Sequence, residues 1–168
     1  STQKTIHYGR YAFKKWEQVD AETIVEAPVS LTVNGEVWLT FMCTPVDLEA
    51  MAVGFLYNEN IIQHIDEVAD ACLCEHGDNV DVWLNRSVEQ PKSWRRTSGC
   101  AGGLTAVETL ARVDVSFNPH KPKFDPEKIS ALVENLFESQ ELYRETGGVH
   151  TSVLSDGEKV VFSAEDIG

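Results

Sequence analysis

Two alternating apolar runs joined by Asn34-Gly35 narrow the possible folds of this chain more than any other feature. Val29, Leu31 and Val33 alternate with Ser30 and Thr32; after the Asn-Gly pair, Val37, Leu39 and Phe41 follow with Glu36 and Thr40 between them. In a strand successive side chains point to opposite faces, so each run presents one apolar face. Asn and Gly tolerate the positive φ that both central residues of a type I′ turn require. The pattern predicts an antiparallel hairpin of Val29–Val33 with Val37–Phe41. A half-apolar sheet must then bury that face under a second layer.

The next segments supply candidates for that layer. Thr44-Pro45-Val46-Asp47 reads as a helix start, with Thr44 capping, Pro45 in the first position and Asp47 at the positive end of the dipole. The helix is expected from Pro45 to about Glu59, with Leu48, Met51, Ala52, Phe55 and Leu56 as its apolar stripe. A second helix is expected from Pro126 to about Glu141, capped by Asp125, with Ile129, Leu132, Val133, Leu136 and Phe137 at helical spacing. Short strands are expected at Ala71–Glu75 and Val80–Leu84 around Gly77-Asp78-Asn79. A loop over Asn85–Ser93 follows, and a last strand pair, Val149–Leu154 with Lys159–Ser163, turns at Asp156-Gly157. The order implies a layered α/β fold with a mixed sheet, taken as a single domain over 1–168.

Charge limits the partners. The net charge of −13 argues against nucleic acid, whose phosphates need a basic surface. Two local exceptions stand out, the Lys- and Tyr-containing start and the segment from Lys92 to Arg96. An acidic body with a basic island suits an anionic ligand at that place. No window approaches the ~20 apolar residues of a membrane span. Lys4, Arg10, Lys14 and Lys15 lead into no apolar stretch of a secretory leader. Cysteines at 43, 72, 74 and 100 lack the spacing of a disulfide framework, which favours a reducing, cytoplasmic setting.

One of these cysteines sits in unusual surroundings, Arg95-Arg96-Thr97-Ser98-Gly99-Cys100-Ala101-Gly102-Gly103. Small residues leave a thiol approachable, and nearby arginines favour the reactive thiolate. A helix beginning near Leu104-Thr105-Ala106-Val107 would add its N-terminal dipole. Cys100 is therefore expected to be accessible and the most reactive thiol; the plain alternative is a turn that holds a small apolar residue. Cys72-Leu73-Cys74-Glu75-His76 is a rival constellation, because on one strand both thiols and the imidazole would share a face. No fourth ligand lies at a zinc-like spacing, so no permanently bound metal is expected there. Cys43 reads as core. Gly147-Gly148-Val149-His150 allows close backbone approach to a ligand and offers an imidazole, although a histidine at a strand start is more often structural.

Several blocks together resemble one family. They are Glu26–Glu36, Met42–Glu49, Ala52–Ile62, Ser98-Gly99-Cys100, Gly147-Gly148-Val149-His150 and Glu165-Asp166-Ile167-Gly168. In order and spacing they are similar to the formate dehydrogenase accessory sulfurtransferases, the FdhD family. That resemblance implies a cytidine deaminase-like fold, a sheet with helices on both faces. It implies a sulfur carrier that accepts persulfide sulfur from a cysteine desulfurase. The carrier then passes it to the molybdenum bis-pterin guanine dinucleotide cofactor, bound as a substrate, for the catalytic subunit of formate dehydrogenase. Cys100 would carry the sulfur, and Gly99, Gly102, Gly103, Gly148 and His150 would contact the cofactor. A homodimer is implied as well. Some relatives hold a second cysteine three residues on; here that position is Gly103, so no local disulfide can resolve the persulfide.

Two other functions compete. A zinc deaminase needs a His-x-Glu and Pro-Cys-x-x-Cys pattern, which this sequence lacks. A chaperone that binds cofactor and apo-enzyme without carrying sulfur stays open, and persulfidation of Cys100 separates it from the carrier. Relatives continue past the Glu-Asp-Ile-Gly block, so a C-terminal portion, with some of the cofactor contacts, is expected to be absent from these 168 residues.

Overall fold

A computed structural model describes residues 1–96, 104–106 and 125–167; at 95, 96 and 104–106 only the backbone is described. The chain, expected as one domain, groups into two compact units, 26–115 and 1–25 with 116–167.

The predicted hairpin opens the first unit. Strands β3 (Ala27–Val33) and β4 (Glu36–Cys43) pair antiparallel, with a register shift between Leu31 and Thr32. Asn34 and Gly35 have φ of 49° and 84°, the two left-handed residues that the turn demands. Asn34 does more than turn the chain. Its Oδ1 accepts from Leu84 N–H at 2.8 Å, and its Nδ2 donates to the Arg86 carbonyl at 3.0 Å. Both partners lie at the end of β6 (Asn79–Leu84), which runs parallel to β3; β5 (Val68–Leu73) completes a mixed sheet in the order β4-β3-β6-β5.

Helix α1 (Leu48–Asn58) packs against β5 and β6. Leu48, Ala52 and Leu56 are buried, and Met51 and Phe55 lean on the same core, as the stripe predicted. Its start differs from expectation. Val46 N–H bonds the Thr44 carbonyl at 2.8 Å and Asp47 turns left-handed (φ 47°), so helical bonding begins with Met51 N–H to the Asp47 carbonyl. Pro45 thus stands in a bend and not at the first helical position. A one-residue reversal at Asp47, a residue type that tolerates this conformation, delays the helix by three residues. A mixed sheet is present, while α1 is the one α-helix among the described residues of this unit, where helices on both faces were expected.

The second unit begins with a ribbon absent from the sequence reading. Strands β1 (Gln3–Ala12) and β2 (Lys15–Ile24) pair in unbroken register around Phe13 and Lys14, whose φ are 50° and 62°. Neither residue is a usual choice for that turn, so the hairpin carries no local signal. Helix α2 (Pro126–Ser139) is capped as predicted: Asp125 Oδ1 accepts from Glu127 N–H at 3.0 Å, and Pro126 opens the first turn. It breaks at Gln140, and a short helix α3 (Glu141–Thr146) follows. Strands β9 (His150–Ser155) and β10 (Val160–Asp166) close the unit, within two residues of expectation at their starts.

Candidate functional site

The segment expected to carry the chemistry enters and leaves through a small strand pair. β7 (Trp94–Arg96) and β8 (Leu104–Ala106) are antiparallel, and Arg96 is the register partner of Leu104. Cys100, Gly99, Gly102 and Gly103 belong to the stretch between them and lie outside the described residues. The strand leading into it is anchored in the core. The Trp94 ring stacks against Phe55 of α1 at 5.8 Å, and Phe55 meets Phe41 of β4 edge-on at 4.9 Å. Aromatic contacts of this kind hold more firmly than their area alone predicts. Residues 104–106 are extended, so the dipole that a helix at Leu104 would have lent to Cys100 is not available.

The other three thiols are poor nucleophiles or structural residues. Cys43 is buried at the end of β4, where it was read as core. Cys72 is exposed on edge strand β5. Its thiol is pushed up by partial desolvation and by the negative field of Asp70, Asp81 and Glu49, which holds it in the unreactive protonated form. Cys74 Sγ donates to Asp78 Oδ1 at 3.1 Å. The shared face expected for Cys72, Cys74 and His76 does not form, because β5 ends at Leu73. The chain then turns, with Cys74 N–H on the Asn79 carbonyl and Gly77 N–H on the Cys74 carbonyl.

The Gly147-Gly148-Val149-His150 block joins α3 to β9. Gly147 terminates α3 in the left-handed conformation (φ 65°), its N–H bonding the Tyr143 carbonyl at 2.7 Å. Gly148 lies against β2, where an added Cβ would sit 3.4 Å from Ile24 Cγ2. Both glycines therefore have local reasons to be glycine, beyond any approach of a ligand. Val149 is buried and His150 is exposed at the first position of β9, in register with Asp166.

Sequence reading gives Glu165 no role of its own, yet it organises this junction. Its carboxylate accepts from the backbone N–H groups of Glu141 and Leu142 (both 2.8 Å) and Tyr143 (3.0 Å), with the Thr151 hydroxyl at 3.3 Å. These are the open donors of the first turn of α3, which no side chain of that helix's own start satisfies. Glu165 ties β10 to the helix and so sets where the Gly-Gly turn begins. The signal that could have found it is weak: an acid placed on a strand more than twenty residues from the helix it caps.

The model of the FdhD/NarQ family matches residues 24–168, nearly all of both units. The chain belongs to that family. Curated relatives from Staphylococcus aureus strains MRSA252 and Newman, each called sulfur carrier protein FdhD, are 28% identical over 167 residues. The match covers 95% of this chain and 62% of each relative. This member of the FdhD/NarQ family thus spans less than two thirds of the length of those relatives. Its fold is shared with a crystal structure from Desulfotalea psychrophila that bears the name of a formate dehydrogenase accessory protein. The TM-score is 0.74 at 22% identity, over 100% of this chain and 64% of the other.

Proposed function

We propose that this chain is part of a sulfurtransferase in which Cys100 carries persulfide sulfur toward the molybdenum cofactor of formate dehydrogenase. The observation that supports this most is the family match, which runs from residue 24 to 168 and so contains Cys100. The name sulfur carrier, borne by relatives aligned over 95% of the chain, points the same way. Exclusion within the chain adds to it: Cys43 is buried and Cys72 is held as a thiol, which leaves the glycine-flanked Cys100 as the better nucleophile.

The transfer balances without an external oxidant. The Cys100 thiolate attacks the terminal sulfur of a cysteine desulfurase persulfide, forming a new S–S bond. The bond to the donor cysteine breaks, and that cysteine leaves as thiolate. The outer sulfur on Cys100 is then available to the molybdenum bis-pterin guanine dinucleotide cofactor, bound as a substrate. Contacts from Gly99, Gly102, Gly103, Gly148 and His150 belong to this proposal, as do a homodimer, a formate dehydrogenase partner and a cytoplasmic setting. With Gly103 at the second position, delivery proceeds from a single thiol.

Mass spectrometry of the Cys100 peptide after treatment with a desulfurase and cysteine tests the reading. A gain of one sulfur atom at Cys100, absent at Cys72 and Cys74, is expected. A Cys100→Ala variant of the full-length protein should lose activation of formate dehydrogenase while retaining cofactor affinity. Normal activation by that variant would leave the chaperone reading in its place.

A further inference from the structure

The β1–β2 ribbon ends in a group of side chains that neither unit uses. Phe13 is 99% exposed, Trp16 75% and Tyr11 60%, three large aromatics within six residues of one turn. Their arrangement is held in place before any partner arrives. Tyr11 and Trp16 are register partners with ring centroids 5.3 Å apart, and the Trp16 ring lies over Gly9, where an added Cβ would sit 3.4 Å from Cε3. Such rings lose little freedom on binding, and Trp and Tyr dominate interface energies. A two-stranded ribbon exposed on both faces is also marginal in water unless something covers it. The exposure of β1 from Lys4 to Tyr11 fits that description.

Charge indicates the covering partner. Around the turn, Arg10, Lys14 and Lys15 stand against one acid, Glu17, to which Arg10 is bonded at 3.1 Å. The whole chain is at −13. Its described residues include an acidic edge where Glu49, Asp70 and Asp81 act together on Cys72, beside the half-exposed apolar Leu73 and Trp83. We propose that the cationic aromatic tip of the ribbon docks on this acidic edge of a second copy of the chain. The proposal deepens the homodimer put forward above and does not depend on sulfur transfer. An anionic membrane would attract the same lysines and aromatics, but it would repel the rest of so acidic a chain.

Sedimentation equilibrium of the 168-residue chain tests this, with far-UV circular dichroism to confirm that each variant folds. The parent should self-associate, and less so in high salt. The pairs Phe13→Ser with Trp16→Ser, and Lys14→Glu with Lys15→Glu, should each weaken association by roughly tenfold or more. Adding Asp70→Lys and Asp81→Lys to the lysine reversal should recover part of that loss. A parent that stays monomeric overturns both dimer and arm, leaving the sulfur-carrier reading untouched. A dimer unaffected by either tip pair keeps the dimer and overturns the arm. Binding to phosphatidylserine vesicles that the tip variants lose, with unchanged self-association, assigns the tip to a membrane and also overturns it.

Discussion

In the unit of residues 26–115, Val29, Leu31, Val33, Val80 and Val82 are no more than 1% exposed. Among the described residues of the other unit, Val149 is the one buried apolar side chain. Both units contain patterned elements. β3 and β6 alternate, and α2 repeats Ile129, Leu132, Val133, Leu136 and Phe137 at helical spacing, yet Ile129 is 50% and Phe137 60% exposed. The difference lies in what each element can pack against. The mixed sheet closes on itself through β3–β6 pairing and is covered by α1, whereas α2 rests on a two-stranded pair. Amphipathic periodicity states which face would be buried; it does not state that a partner is present to bury it.

The largest effect should separate the units by core truncation. Leu31 is fully buried at the centre of β3, so Leu31→Ala should cost about 2–5 kcal/mol, the usual range for a buried leucine with its cavity. Phe137→Ala on the exposed stripe of α2 should cost below about 1 kcal/mol, because most of that ring already meets water. Urea denaturation of both variants measures this. Equal losses would mean that α2 is as well packed as the sheet and would erase the contrast.

A smaller effect belongs to the hairpin turn. Asn34→Ala would retain a positive φ without the residue type that tolerates it, and would strip partners from Leu84 N–H and the Arg86 carbonyl. A loss of about 1–3 kcal/mol is expected, mostly from the amide left unpaired at the end of β6. Asn34→Asp keeps the acceptor for Leu84 N–H and should recover part of it. If alanine is harmless, the turn is not what fixes the parallel pairing of β3 with β6.

This contrast also marks what the sequence made legible. The β3–β4 hairpin, the stripe of α1 and the cap of α2 were readable because each depends on neighbours in sequence: Asn34-Gly35, Leu48 with Ala52 and Leu56, Asp125 with Pro126. The β1–β2 ribbon was not, because Phe13 and Lys14 take up a left-handed turn with no residue that announces it. The start of α1 was misplaced because a single φ at Asp47 moved it. At the candidate site, Gly147, Gly148 and His150 were legible as a block. Their organiser Glu165 was not, since capping α3 from β10 is a long-range act. The reading of Cys72 with Cys74 and His76 failed where the strand stopped one residue short of Cys74.

Gly147→Ala should come next in size. With φ at 65° the alanine is strained even in open space, and about 1 kcal/mol is expected. Gly148→Ala meets Ile24 Cγ2 at 3.4 Å and should cost less, since a methyl end can give way by a few tenths of an ångström. Thermal melts of the two variants give the order. Should Gly148→Ala leave stability unchanged yet weaken cofactor affinity in the full-length protein, the close approach of a ligand would be the stronger reason for that glycine.

The smallest effect is a pH dependence, and it compares the units once more. In the sheet unit, Glu67 accepts from Gln63 N–H (2.6 Å) and His64 N–H (3.0 Å). Its other oxygen takes Arg86 Nε at 2.7 Å, so backbone donors first and the guanidinium next lower its pKa from 4.5 to about 2. In the ribbon unit, Asp156 is lowered by the N–H groups of Glu158 and Lys159, both at 2.9 Å. A carboxylate depressed in the folded state stays ionised there at pH values where the unfolded chain binds a proton, so stability rises with pH across that window. The contribution of Glu67 should be complete above about pH 4.5 and vanish as the pH falls through about 2. Both groups are solvent-exposed, which keeps the effect small. Urea midpoints across this range should slope less for Glu67→Gln than for the parent, and Asp156→Asn should flatten the curve independently. Matching slopes in parent and Glu67→Gln would show that the Arg86 network adds nothing to the closure of the sheet, and that hydrophobic burial alone distinguishes the two units.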